Sequence, residues 1–237
     1  MAYKKSQARK TLQIDLNEIL FKVKLVENRN VDPNIKEYVL AASVFLAHAI
    51  LENYISDIFS RFANGIHSLS LKGEELPENL RAHLFLKNID KSKMYAVDVG
   101  ICSERDAFSA LSKALNGYAG KIIDNSKTIY KIKGEDIYTN YKYPSKNNLI
   151  RIFERIGISN IFNVLSARMN RDSVATLQSL GSLRTQLAHT GQIPGISPRD
   201  IKNRLSELED FVSAIDRTIY KEMVSKYGQN TWYSHVA

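Results

Sequence analysis

The stretch "YVLAASVFLAHAIL", Tyr38 to Leu51, decides the fold class of this 237-residue chain. It is the most apolar part of the sequence, and Ser43 and His48 are among its few polar members. It is shorter than the roughly 20 apolar residues that span a bilayer. The pattern therefore predicts a helix over Ile35 to Ala63 that is buried nearly all round, and Asn64-Gly65 is expected to end it.

Helical patterning continues on both sides of this stretch. Only 11 Gly and 5 Pro occur in the whole chain, so long segments run without helix breakers. The further helices predicted from apolar spacing and capping residues are Thr11 to Asn28, one opening near Pro77, Asn148 to Ile156, Ile161 to Met169, one capped by Asp172-Ser173 that runs to about His189, and a last one capped by Ser197 with Pro198 in its first turn. We expect one all-α domain, a helical bundle over residues 1–237.

The segment from about 68 to 147 has a weaker pattern than the rest. It contains the apolar run Met94 to Cys102 and a polar stretch rich in Tyr and Lys. We interpret it as an insertion into the helical frame, built from helix pieces, with a short hairpin left open.

Composition limits the partners and the compartment. The formal charge of +8 favours polyanions, nucleic acid first, although many soluble proteins are equally basic. A single cysteine, Cys102, and an N-terminus without an apolar core segment predict a cytoplasmic protein with no membrane partner. The sequence has no phosphate-binding glycine loop and no metal-ligand spacing, so no cofactor and no metal are expected.

The motif that could carry out chemistry is Arg-x4-His in "SLRTQLAHTGQ", where Arg184 and His189 fall near the end of a predicted helix. Five helical steps rotate a side chain by about 140° and advance it by about 7.5 Å. The two side chains therefore flank a sector of the helix surface, which suits an extended polyanion. The pair could equally be a surface arginine and a last-turn histidine that only complement the helix dipole.

The layout of this motif resembles the HEPN superfamily of helical ribonucleases, and most closely its RiboL-PSP-HEPN branch. A long closing helix follows "SLRTQLAHTGQ", and the apolar "AHAILENYISDIF" lies far upstream, as in that family. The resemblance covers about 39–62 and 181–219. It implies a HEPN-like helical bundle with an inserted, less regular middle segment.

The resemblance also implies an activity, which is metal-independent RNA cleavage through attack of the ribose 2′-hydroxyl, leaving 2′,3′-cyclic phosphate ends. Arg184 would hold the scissile phosphate and His189 would act as general base or acid. Glu52 and Thr185 would support them, although Thr185 stands where many members have asparagine, and Glu52 could instead reach solvent or pair with a lysine. Members usually form homodimers in which two motifs face one cleft. They often serve as toxins or anti-phage effectors, which implies an antitoxin or sensor partner.

Other residues carry weaker predictions. Lys131, Lys133, Tyr141 and Lys142 combine positive charge with stacking rings and predict an RNA-binding surface, unless they are only part of a solvated insertion. His48 is expected to be a core histidine with satisfied hydrogen bonds. Two other functions stay open: a non-catalytic helical module that binds RNA or protein, and an antitoxin or immunity protein.

Overall fold

The computed structural model describes residues 2–28, 30–87, 103–139, 141–191 and 195–237, and over these ranges the chain is helical with no β-strand. The all-α prediction is confirmed. The α-helices are α1 (Gln7–Leu25), α2 (Pro33–Ser68), α3 (Glu78–Lys87), α4 (Glu104–Asn116), α5 (Tyr118–Ile123), α6 (Gly134–Tyr138), α7 (Lys146–Arg155), α8 (Ile161–Met169), α9 (Ser173–Thr190), α10 (Pro198–Tyr227) and α11 (Gln229–His235), and a 3₁₀ turn covers Gly73–Glu75.

Helix α2 is the central element of the bundle. It spans 36 residues, about 54 Å, and packs against α1, α6, α9, α10 and α11. Asp32 caps its N-terminus by accepting a hydrogen bond from the Asn34 amide at 2.8 Å, and Pro33 occupies the first turn, where its missing N–H costs nothing. The apolar stretch therefore positions most of the fold.

The predicted end of α2 at Asn64-Gly65 is wrong, because the helix continues to Ser68. Gly65 is buried, and a Cβ built on it would overlap the Met223 side chain and lie 3.2 Å from Thr231 Cγ2. The glycine is thus explained by the close approach of α10 and α11 to α2. A local stop signal and a packing requirement look the same in sequence.

The expectation that this helix is buried nearly all round is also wrong in its first half. Tyr38 is 75% exposed, and Phe45 and Leu46 are 41% and 43% exposed. We call these three residues the α2 stripe. By length and composition α2 could also cross a membrane, which is weak evidence for a single helix, and half of its most apolar window is buried in the protein.

The caps predicted for the later helices are confirmed. The Asp172 carboxylate accepts from the amides of Val174 and Ala175 at 2.8 and 3.0 Å, and the Ser197 hydroxyl accepts from the Asp200 amide at 3.2 Å. The helix that begins at Pro198 is not the last, however, because α11 follows it. The buried Trp232 of α11 donates its indole N–H to the Lys4 carbonyl at 2.9 Å and so fixes this short helix to the N-terminal segment.

One buried carboxylate ties three parts of the bundle together. Asp216 of α10 is fully buried and accepts hydrogen bonds from the Ser6 amide at 3.1 Å, from the Ser6 and Tyr3 hydroxyls, and from the Tyr54 hydroxyl of α2 at 3.4 Å. Burial raises the pKa of the Tyr3 and Tyr54 hydroxyls, and the Asp216 charge raises both further, so they stay protonated donors. These bonds offset the cost of burying a charge.

The middle segment consists of the helices α3 to α6 and their connections. The hairpin considered for it is not formed among the described residues, where one antiparallel bridge joins Lys72 to Thr128. Its docking on α2 is tight, since a Cβ on Gly134 would overlap Ser60. The run Met94 to Cys102 lies outside the described residues. The insertion limits of about 68–147 stay a prediction, and α2 ends and α7 begins near them.

Candidate active site

Helix α9 positions the Arg-x4-His motif through its buried face. Thr176, Leu177, Leu180, Leu183 and Leu187 recur at helical spacing and pack inward. Gly191 ends the helix in the left-handed region at φ 68°, and its amide donates to the Leu187 carbonyl at 2.9 Å. This local design fixes the rotation of the helix and hence which side chains reach the surface.

The two motif residues occupy different parts of that surface. Arg184 lies at the edge of the buried face and is half-buried, whereas His189 is exposed in the last turn. His189 shares its face with three other exposed side chains, since Gln178, Ser182, Thr185 and His189 follow one another at steps of four, three and four residues. In the described part of the chain, no side chain hydrogen-bonds to the His189 imidazole.

An aromatic ring lies against the guanidinium of Arg184. The Tyr143 ring centroid is 5.5 Å from Arg184 Cζ, a cation–π distance, and the same ring stacks on the His48 imidazole at 6.0 Å with an interplanar angle of 8°. No carboxylate among the described residues forms an ion pair with Arg184. The guanidinium is thus oriented by a ring, and its hydrogen-bond donors are available to an anion.

His48 differs from the satisfied core histidine that its sequence context suggests. It is 4% exposed, and neither ring nitrogen has a hydrogen-bond partner in the described part of the chain. The Leu180 backbone lies close, but the contact lacks hydrogen-bond geometry. Burial lowers the pKa of the His48 imidazole, and Arg184 lowers it further against the opposing effects of Leu180 and Glu52. The ring is therefore neutral at neutral pH.

Of the two residues predicted to support the motif, Glu52 lies half-buried one turn after His48 on α2 and acts on it through its charge. It forms no ion pair with Arg184, so any role in orienting that side chain stays a prediction. Thr185 is exposed and faces a pocket next to the motif.

That pocket, of about 410 Å³, lies between α2, α9 and the segment 143–147. We call it the His48 pocket. It is lined by His48, Tyr143, Pro144, Ser145, Lys146, Asn147, Leu177, Gln178, Gly181, Ser182 and Thr185. The sequence does not predict this pocket, because Tyr143 and His48 are far apart in the chain. The one signal is a polar residue, His48, within an apolar helix.

The residues predicted to bind RNA are less uniform than their sequence pattern. Lys131, Lys133 and Lys142 are exposed, and the first two line a second pocket beside Ser60 of α2. The Tyr141 hydroxyl accepts from Arg151 at 2.9 Å, and the guanidinium groups of Arg151 and Arg155 each lie 5.0 Å from its ring. The Tyr141 ring is therefore engaged within the protein, and its stacking on RNA stays a prediction.

Comparisons with known proteins agree with the helical fold. A sequence model of the RiboL-PSP-HEPN family matches residues 10–221, most of the chain. No curated protein and no solved structure matches it. Among the described residues, no group of three His, Cys, Asp or Glu side chains could hold a metal ion.

Proposed function

The chain belongs to the RiboL-PSP-HEPN family, and on that premise we propose that it is a metal-independent endoribonuclease whose reacting groups are Arg184 and His189. The family supports an RNA-related role in general. The specific reaction is proposed from the site. The observation that carries it is a half-buried arginine that forms no ion pair among the described residues, one to two turns before an exposed histidine on the same helix.

Arg184 is proposed to bind the scissile phosphate. Its planar donors match two phosphate oxygens, and the Tyr143 ring limits the directions that the guanidinium can take. The Arg184 guanidinium stabilises the negative charge that builds on the phosphate oxygens in the transition state. This effect is stronger than in water, because the guanidinium is half-buried and the local dielectric is lower.

His189 is proposed to move the protons. A neutral imidazole removes the proton of a ribose 2′-hydroxyl, O2′ attacks the adjacent phosphorus, and the bond from phosphorus to O5′ breaks. The departing O5′ takes up a proton from an imidazolium. The products are a 2′,3′-cyclic phosphate and a 5′-hydroxyl, so no water or metal ion enters this step.

A homodimer with a composite site is part of the proposal. No side chain in the described part of one protomer hydrogen-bonds to the His189 imidazole, and a second copy supplies both that contact and a second imidazole, so one histidine acts as base and the other as acid. The α2 stripe supports a partner on this side, because Phe45 lies two helical turns before Glu52 on the same side of α2.

We further propose a cytoplasmic toxin or anti-phage effector as the biological role. Cleavage of cellular RNA stops growth, so an antitoxin or sensor protein must restrain it. The exposed Lys131, Lys133 and Lys142, together with the net charge of +8, support attraction of RNA to the protein.

The test is cleavage of end-labelled RNA by pure protein in EDTA, with chemical identification of the fragment ends. We expect cyclic phosphate ends, and a loss of at least about 10²-fold in rate for His189→Ala and for Arg184→Ala. His67→Ala, which removes an exposed histidine elsewhere on α2, is the matched control and keeps its activity. Cleavage that needs metal, or equal cleavage by His189→Ala, contradicts the mechanism.

A non-catalytic RNA- or protein-binding module, or an antitoxin, is the competing function. The lack of a side-chain hydrogen bond to His189 within the described residues favours it, since a catalytic histidine is usually held by a neighbour. Such a module binds its partner equally well after His189→Ala and cleaves nothing, so the same assay with a binding readout separates the two.

A further inference from the structure

We propose that the His48 pocket is a nucleobase subsite, which holds an unpaired base of the RNA next to the scissile phosphate and so determines where the chain cuts. This inference rests on the proposed function. The pocket volume of about 410 Å³ is within the range of small-molecule sites.

The first argument is the unsatisfied imidazole in its wall. A buried polar group without a partner is unfavourable and rare in native proteins, so each case calls for an explanation. Neutral His48 offers one donor and one acceptor, and both of its nitrogens are unpaired among the described residues. The edge of a nucleobase carries donors and acceptors side by side and can satisfy at least one of them once the His48 ring turns toward the pocket, since both nitrogens are shielded from solvent in this structure.

The second argument is Gly181 in the interior of α9. Glycine destabilises a helix interior relative to alanine, and packing does not require it here, because a Cβ at this position would meet no atom within 4 Å. The missing side chain instead leaves the pocket open between Gln178 and Thr185. An unfavourable residue that keeps a cavity open is expected where a ligand enters.

The third argument is the chemistry and position of the other lining residues. Tyr143 is 36% exposed although its ring contacts His48 and Arg184, and Asn147 and Gln178 bring amide groups of the kind that read base edges. Thr185 lies one turn, about 6 Å, before His189 on the same helix face. A strand whose base enters the pocket therefore carries its phosphate past Arg184 toward His189.

The test measures base preference in a random-sequence RNA pool, from the nucleotides that flank the cuts. We expect the wild type to favour one base at one position by at least about tenfold, the size of one good polar pairing. Gly181→Leu, which fills the pocket at a position that tolerates a side chain, removes that preference. Gln178→Ala reduces it, and Gly181→Ala, which adds one methyl group, reduces it less than Gly181→Leu does.

A second readout separates this inference from the proposed activity. Binding of four single-stranded RNA tetramers, which differ in one base, is measured with His189→Ala and with the double variant that also carries Gly181→Leu. Discrimination by the first protein and not by the second supports the subsite even where no cleavage occurs. Cleavage without base preference, preference that survives Gly181→Leu, or equal binding of all four tetramers overturns the subsite, and the first two outcomes leave the ribonuclease intact.

Discussion

At the scale of single residues, the side chain of His48 lies in surroundings that oppose its protonation. Burial has the largest effect, and the Arg184 guanidinium adds to it, while the Leu180 backbone and the Glu52 carboxylate act in the other direction. The folded-state pKa is therefore below the ordinary value of about 6.5 that the unfolded chain restores. Stability is linked to this difference.

The linkage gives a pH prediction. As pH falls below about 6.5, the unfolded state binds a proton at His48 that the folded state resists, so the free energy of unfolding decreases. Urea unfolding of the wild type and of His48→Gln between pH 7.5 and 5.5 measures the slope. We expect a smaller slope for His48→Gln, whereas the matched variant His67→Ala keeps the wild-type slope. Equal slopes for wild type and His48→Gln contradict the prediction.

How far the site could be predicted also depends on single residues. The sequence places His189 in the last turn of its helix, because that position follows from local periodicity and a glycine cap, but it does not place Arg184 at the edge of the buried face. The sequence does not predict the contact between Tyr143 and His48, through which the insertion packs on α2. The contact between the Tyr143 ring and Arg184 depends on tertiary structure, which local sequence patterns do not predict.

At the scale of helices, two interior glycines have opposite surroundings. Gly65 of α2 lies against Met223 and Thr231, whereas Gly181 of α9 opens into the His48 pocket. The caps at Asp172 and Ser197 were predictable because capping is a local interaction. The continuation of α2 past Gly65 was not, because the reason for that glycine lies on α10 and α11.

The same substitution at both glycines tests this contrast. Gly65→Leu is expected to lower the free energy of unfolding by about 1–3 kcal/mol, since the new side chain enters a packed interface. Gly181→Leu is expected to leave it unchanged or raise it by up to about 1 kcal/mol, since leucine favours a helix more than glycine does. Urea denaturation of the two variants and the wild type measures both changes. A loss of similar size at the two positions contradicts the assignment of Gly181 to an open pocket.

At the scale of the whole molecule, the exposed apolar side chains are concentrated on α1 and α2. Ile14, Phe21 and Leu25 of α1 are each more than half exposed, and the α2 stripe precedes His48 and Glu52 on the helix that lines the His48 pocket. Contiguous exposed apolar surface usually marks an interaction site. The proposed dimer requires the partner near His189, which selects the α2 stripe over the α1 residues as the interface between copies.

That choice gives the last prediction, made by placing a charge in each surface. Phe45→Lys is expected to weaken the dimer by at least about tenfold, because a lysine buried in an apolar interface loses its hydration without a partner. Cleavage falls in parallel at low protein concentration and recovers as the concentration rises, since the composite site returns with the dimer. Phe21→Lys on α1 is the matched control, and we expect it to retain both the dimer and the cleavage activity. Light scattering and cleavage rates over a dilution series measure the two effects. A Phe45→Lys monomer with full activity removes the case for a shared site, and dissociation by Phe21→Lys alone moves the interface to α1.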